Sequence, residues 1–252
     1  MLGRDLAFAL DPAGAFARAC GLAVDPWQGE VLSGDHPREL LLCSRQSGKT
    51  SVCALVALHE ALYAAPALVL ALSPSLRQSS ELVRRVRDFH AALDGAPELA
   101  LESVTRLEFR NGSRVIGLPG AEKTVRGYSG AGVVLIDEAA RVDDALIAAV
   151  KPTQATVKGG RFIAMTTPAG RRGWFFEQWT RGEGWHRIKV TAAQCPRIAP
   201  EFLAAERREL GELMYRQEYD PLDFVDDGES AFASELIEAC FSHDVRPLFA
   251  AA

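Results

Sequence analysis

The chain has 252 residues, 48% of them hydrophobic and 24% charged, which is room for one large domain or two small ones and too ordinary for a disordered, collagen-like or coiled-coil protein. Asp and Glu (33) outnumber Lys and Arg (28), so the globally basic footprint of many nucleic-acid binders is excluded. Five cysteines, an odd number with no CxxC pair, argue against both a disulfide framework and a zinc site. The start of the chain lacks the basic and apolar pattern of a signal peptide, and the apolar runs fall short of a membrane span, so a protein of the cytoplasm is expected.

In chain order, short apolar runs alternate with segments of helical spacing. Strands are expected at Leu40 to Ser44, Ala67 to Leu72, Gly132 to Ile136, Arg161 to Thr166 and His186 to Thr191, several apolar enough for a sheet covered on both faces. Helices are expected at Lys49 to Ala64, Leu76 to Leu93, Asp143 to Val150 and Gly173 to Thr180. The alternation implies an α/β fold with a mainly parallel central sheet flanked by helices. One hairpin interrupts it: residues 107–110 and 114–117 flank Asn111-Gly112, the dipeptide suited to a type I′ turn. Residues 151–190 carry eight Lys and Arg against two acids, where an anionic partner would meet the chain. Residues 201–230 carry ten acids against three Arg, and the last fifty residues read as helical pieces and an acidic connector. Arg77, Arg84, Arg85 and Arg87 read as a solvated helix face, Trp174, Trp179 and Trp185 as core, and the five histidines show no ligand spacing.

The strongest chemical signal is Ser44-Arg45-Gln46-Ser47-Gly48-Lys49-Thr50, a polar loop between an apolar strand and a helix. Small residues there let backbone N–H groups wrap a phosphate, Lys49 can reach β/γ oxygens, and the Thr50 hydroxyl can ligate Mg2+. Cys43 stands where the first glycine of the usual phosphate-loop pattern would be. Some ninety residues on, an apolar strand ends in Asp137-Glu138. Asp137 would hold the Mg2+ shell and Glu138 would polarise an attacking water, so hydrolysis is expected rather than transfer to a second substrate. Asn111, the only asparagine, is taken by the hairpin turn, which leaves no guanine-reading NKxD element, and ATP is the expected nucleotide.

These residues resemble the ATPase domain of the large terminase subunit of tailed bacteriophages, whose phosphate loop commonly replaces the first glycine and places Arg-Gln before Gly-Lys. The resemblance runs over roughly residues 20 to 240. It implies the additional-strand class of P-loop NTPase, with a domain at 1–220, an adenine-recognition region near 20–35, an acidic connector at 221–252, and no nuclease domain. It assigns Trp27 and Gln28 to adenine recognition. Ser44 through Thr50 bind phosphate, with Thr50 and Asp137 on Mg2+, and Thr166 and Thr167 form the coupling motif. Arg45 acts as a charge-stabilising residue in cis, and Arg126 does so toward a neighbouring subunit. The cluster Asp223, Asp226, Asp227 and Glu229 matches the family's connector.

The implied function is hydrolysis of ATP to drive double-stranded DNA into a procapsid in the host cytoplasm, without nuclease activity from this chain. The implied partners are DNA, the small terminase subunit and the portal protein. A homo-oligomeric ring is expected on the portal, with a monomer in isolation and no membrane contact. A helicase-like DNA-dependent ATPase and a nonhydrolysing nucleotide-binding prophage remnant stand as alternatives.

Overall fold

A computed structural model of the chain describes residues 2–34, 36–119 and 125–221, together with Phe224 and Cys240. The acidic cluster from Asp223 to Glu229 lies outside the described residues.

Helix α1 (Leu2–Leu10) leads through a π-helical turn at Pro12–Phe16 to α2 (Pro26–Ser33), whose proline occupies the first helical position, where a missing N–H costs nothing. Strand β1 (Arg38–Cys43) follows, then α3 (Lys49–Tyr63), β2 (Leu68–Ser73) and α4 (Leu76–Ala92). Next come β3 (Leu99–Glu102), β4 (Arg106–Phe109), β5 (Arg114–Pro119) and β6 (Ala131–Ile136). The chain continues through α5 (Asp144–Val150), β7 (Arg161–Thr166), α6 (Gly173–Thr180), β8 (His186–Val190) and α7 (Pro200–Tyr219). The expected strands and helices are all present with ends shifted by a residue or two.

The described strands form one eight-stranded sheet in the order β3-β4-β5-β2-β6-β7-β1-β8. Every pair from β5 to β8 is parallel, whereas β3, β4 and β5 form an antiparallel wing. Strand β7 lies between β1 and β6, which is the inserted strand of the expected class.

Alternate residues of each central strand enter opposite cores, so both faces must be apolar and the strands read as unbroken hydrophobic runs. Leu41, Cys43, Val69, Ala71, Leu135 and Met165 pack with α3 and α4 on one face. Leu40, Leu42, Leu70, Val134, Ile136 and Phe162 pack with α5 and α6 on the other. Trp174 and Trp185 are buried edge-on against Phe162, as the core reading expects. On α4, Arg84 pairs with Glu81 and Asp88 one turn away, and Arg87 pairs with Glu102, in keeping with a solvated face.

The hairpin differs in its turn. A type I′ turn needs positive φ at both central residues. Here Gly112 alone has it (φ 87), Phe109 N–H donates to Ser113 C=O at 2.9 Å, and Gly112 N–H donates to Phe109 C=O at 3.0 Å. The loop therefore has three residues with glycine in the left-handed position. Asn111 explains the change: its Nδ2 donates to the Ala61 carbonyl at 2.8 Å and its Oδ1 accepts the Ser113 N–H at 2.9 Å. The side chain is thereby tied to α3.

Candidate functional site

Parallel strands bring their carboxyl ends to one edge of the sheet, where open α/β proteins bind ligands. Here β1, β6 and β7 end side by side, and the three motif segments meet although they are far apart in sequence.

The loop after β1 is held open rather than coiled. Ser44 N–H donates to Val190 C=O at 2.8 Å, and Gln46 (φ 55) and Gly48 (φ 96) both take left-handed backbone. A Cβ at Gly48 would meet Gln28 Nε2 at 2.6 Å, so glycine is required there by both φ and space. The buried hydroxyls of Ser44 and Ser47 have no oxygen or nitrogen partner and face only the thiols of Cys195 and Cys43. Buried polar groups rarely go unsatisfied, and such atoms beside a loop ending in a helix N-terminus fit an oxygen-rich ligand. Cys43, in place of the usual first glycine, is fully buried in β1 and its thiol is pushed up to about 12 by burial, so it serves as a small apolar residue.

The carboxylates come from the end of β6. Asp137 is 6% exposed, and burial raises its carboxyl to about 6, with the nearby Lys49 ammonium pulling the other way and Glu138 adding to the rise. Thr50 Oγ1 donates to Asp137 Oδ2 at 3.4 Å. This hydroxyl and carboxylate face one another as a Mg2+ site requires, and hard oxygen donors of this kind suit that ion. Glu138 stands in left-handed backbone (φ 51, ψ 42), an uncommon state for a non-glycine residue and one that concentrates at functional sites. Its Oε1 lies 3.3 Å from Lys49 Nζ.

The end of β7 supplies the remaining members. Thr166 Oγ1 accepts the Ala140 N–H at 3.3 Å and donates to Thr167 C=O at 2.7 Å, while Thr167 Oγ1 donates to Glu138 Oε2 at 3.4 Å. Lys49, Thr50, Asp137, Glu138, Thr166 and Thr167 thus form one constellation.

Other expected residues lie differently. Arg45 turns from the loop to α7, where its side chain pairs with Glu218 and its N–H donates to Glu218 C=O at 2.8 Å. That segment follows a kink in α7 at Gly211 (φ 75, ψ 164). Gln28 is buried; its Oε1 accepts the Asp25 N–H at 2.9 Å and its Nε2 donates to Gly48 C=O at 3.4 Å, so the amide closes a helix start against the loop. Trp27 is buried beside it. Arg126 lines a separate cleft with Tyr128 and the α5 residues Ala145, Ala148 and Ala149.

Two arginines escape the sequence reading. Arg197 forks onto Asp25 (2.9 and 2.6 Å) and donates to Ser47 C=O at 2.9 Å, clamping α2 to the loop after β1. Arg141 donates from Nη1 to Glu138 Oε2 at 2.8 Å and to Thr167 Oγ1 at 3.1 Å. Position three after Glu138 was the available signal for Arg141; Arg197 offers none. The fold also gathers Glu30, His36 and His186, which have no spacing relation in sequence. Their two rings stack face to face at 3.8 Å and 11°, His186 Nε2 lies 2.7 Å from Glu30 Oε1, and the three possible ligand atoms lie within 4.8 Å of one another.

Solved structures with the same fold include the large terminase ATPase domain of Thermus phage P74-26, at TM-score 0.70 and 23% identity, covering 86% of this chain and 100% of that one. The large terminase of bacteriophage HK97 matches at TM-score 0.66 and 15% identity over 79% of this chain and 50% of that one. The large terminase of a thermophilic bacteriophage matches at TM-score 0.63 and 12% identity over 77% of this chain and 52% of that one. The chain thus spans about half the length of these last two proteins. No curated protein sequence matches it. Residues 40–238 match the model of the terminase large subunit family, T4likevirus-type, N-terminal, and the chain belongs to that family.

Proposed function

We propose that this chain hydrolyses ATP at the joined ends of β1, β6 and β7 and that γ-phosphate loss drives movement of double-stranded DNA. Membership of the terminase large subunit family makes it a DNA-packaging motor ATPase domain. The observation that carries the catalytic reading is the pairing of Lys49 Nζ with Glu138 Oε1 at 3.3 Å and of Thr50 Oγ1 with Asp137 Oδ2 at 3.4 Å. The large terminase of the thermophilic bacteriophage has been solved with ADP and with ATP-gamma-S, which favours the same ligand class here.

In this reading the loop N–H groups from Gln46 to Thr50 and the hydroxyls of Ser44 and Ser47 receive phosphate oxygens. Lys49 exchanges its carboxylate partner for phosphate. Thr50 and Asp137 hold Mg2+, which when bound neutralises charge on the phosphate oxygens. Glu138, relieved of Lys49 on Oε1, accepts a hydrogen bond from the attacking water and orients it. Arg45 reaches the phosphates only after leaving Glu218, so the segment beyond the Gly211 kink gates it. Gln28 and Trp27 border the adenine end, and Arg126 serves a neighbouring subunit when a ring forms on the portal, with the small subunit as a further partner. These steps need no nuclease activity and fit the host cytoplasm.

Phosphate release from Mg-ATP decides the matter, measured for the intact chain beside Lys49→Ala and Arg126→Ala at rising protein concentration. Turnover lost in Lys49→Ala supports the site. A rate per chain that climbs with concentration in the parent but not in Arg126→Ala supports action across an interface. A parent that binds ATP without turnover overturns the hydrolysis reading.

A further inference from the structure

We infer that Arg141 is a positioning residue, and the inference rests on the hydrolysis reading above: its guanidinium ties the Glu138 carboxylate to the Thr167 hydroxyl, so that the water-orienting group and the end of β7 move together. The three contacts close a triangle. Arg141 Nη1 donates to Glu138 Oε2 at 2.8 Å and to Thr167 Oγ1 at 3.1 Å, and Thr167 Oγ1 donates to the same Oε2 at 3.4 Å. The backbone repeats the link, since Arg141 N–H donates to Glu138 C=O at 2.8 Å and Ala140 N–H donates to Thr166 Oγ1 at 3.3 Å. The turn after β6 is therefore pinned to β7 by both side chain and main chain.

The two oxygens of Glu138 are held by different cations, and this asymmetry gives Arg141 its role. Lys49 sits on Oε1 and belongs to the phosphate loop, so arriving phosphates compete for it. Arg141 sits on Oε2, the side away from Lys49, and stays when Lys49 leaves. The nucleotide-free site thus masks Oε1 while keeping the carboxylate aimed. Binding of phosphate uncovers one oxygen and leaves the other fixed.

A half-exposed ion pair three residues apart on one turn is worth little to stability by itself. What sets this pair apart is the third member, a hydroxyl 26 residues away just past the end of β7. Beside it runs an open cleft of about 610 Å³, lined by Arg141, Asp143, Asp144, Arg172 and Gln217, which gives the guanidinium room to swing with the turn.

The test is the turnover of Arg141→Ala, Arg141→Lys, Thr167→Val and the Arg141→Ala/Thr167→Val double variant, each resolved into kcat and KM. We expect Arg141→Ala to lose kcat by roughly tenfold with KM for ATP held within about twofold, the pattern of a misplaced catalytic group rather than lost binding. Arg141→Lys recovers part of the loss, and the double variant falls no further than the worse single one. Parent-like kcat in Arg141→Ala, or losses that multiply in the double variant, would overturn the proposal. Should the parent bind ATP and not turn it over, the hydrolysis reading fails by itself. The link is then read without nucleotide from the Thr167 amide resonance, which shifts in Arg141→Ala if the bridge exists and stays in place if it does not.

Discussion

The strand ends around Lys49 and Glu138 and the antiparallel wing from β3 to β5 belong to one sheet but are built on opposite terms. In the wing, Asn111 engages both ends of its amide, Ser113 Oγ accepts the Ala67 N–H at 3.0 Å, and Arg114 N–H donates to Ala67 C=O at 2.8 Å. At the strand ends, Gln46 and Glu138 hold left-handed backbone, Asp137 is buried with a raised pKa, and the Ser44 and Ser47 hydroxyls lack nitrogen or oxygen partners. The hairpin groups named are satisfied without a ligand, whereas the strand ends carry strain and desolvation that a bound phosphate and cation would relieve. Sites selected for chemistry give up stability in this way. Variants in the two regions should therefore separate activity from stability in opposite directions.

The sharpest break is Glu138→Gln, which keeps the side-chain shape and removes the charge. A fall in kcat of about 10² to 10⁴ is expected, with ATP binding retained, as removal of a general base predicts. Equal fluorescence titrations of nucleotide with unequal phosphate release would establish it, and unchanged release would move the water-activating role elsewhere. Asp137→Asn tests the stability side of the comparison. A carboxyl whose folded pKa is raised stabilises the fold only while protonated: that contribution is complete below the unfolded value near 3.8 and disappears as pH rises through about 6. Near neutral pH the nucleotide-free variant should thus be more stable than the parent by on the order of 3 kcal/mol, the gap closing as pH falls toward 4. Chemical unfolding at a series of pH values reads this directly, and a pH-independent difference would show that burial of Asp137 is not the cause.

The two regions also differ in how far the sequence revealed them. Strand and helix positions followed from periodicity, because a sheet covered on both faces needs apolar residues at every position. The segment Ser44 to Thr50 was legible as a loop because its residue types lie contiguously between a strand and a helix. The hairpin was legible but its turn type was not, since the competing hydrogen bond from Asn111 to Ala61 spans fifty residues. Arg141 and Arg197 went unread for the same reason, their partners Thr167, Asp25 and Ser47 becoming neighbours only once the sheet is assembled. Arg45 lies in the loop after β1, but its engagement with Glu218 depends on where α7 returns across the strand ends. Contacts made within one element are written in the sequence, and contacts between elements are left to the topology.

Smaller effects sharpen the same contrast. Asn111→Ala frees the Ala61 carbonyl and the Ser113 N–H together, and a loss of about 1 to 2 kcal/mol in unfolding free energy is expected, with kcat/KM for ATP unchanged. A change in turnover would instead connect the wing to the site. The mildest probe is Gln46→Gly. Gln46 is exposed with φ 55, and a side chain in that region costs about 1 to 2 kcal/mol, relief of which is partly offset by the greater freedom of glycine in the unfolded chain. A net gain of a few tenths to about 1 kcal/mol should follow, visible as a small rise in melting temperature. If the strained conformation preorganises the loop for phosphate, the same variant should bind ATP more weakly, because a looser loop must be ordered on binding. A gain in stability with unchanged affinity would mean that the left-handed turn at Gln46 is a consequence of chain direction alone.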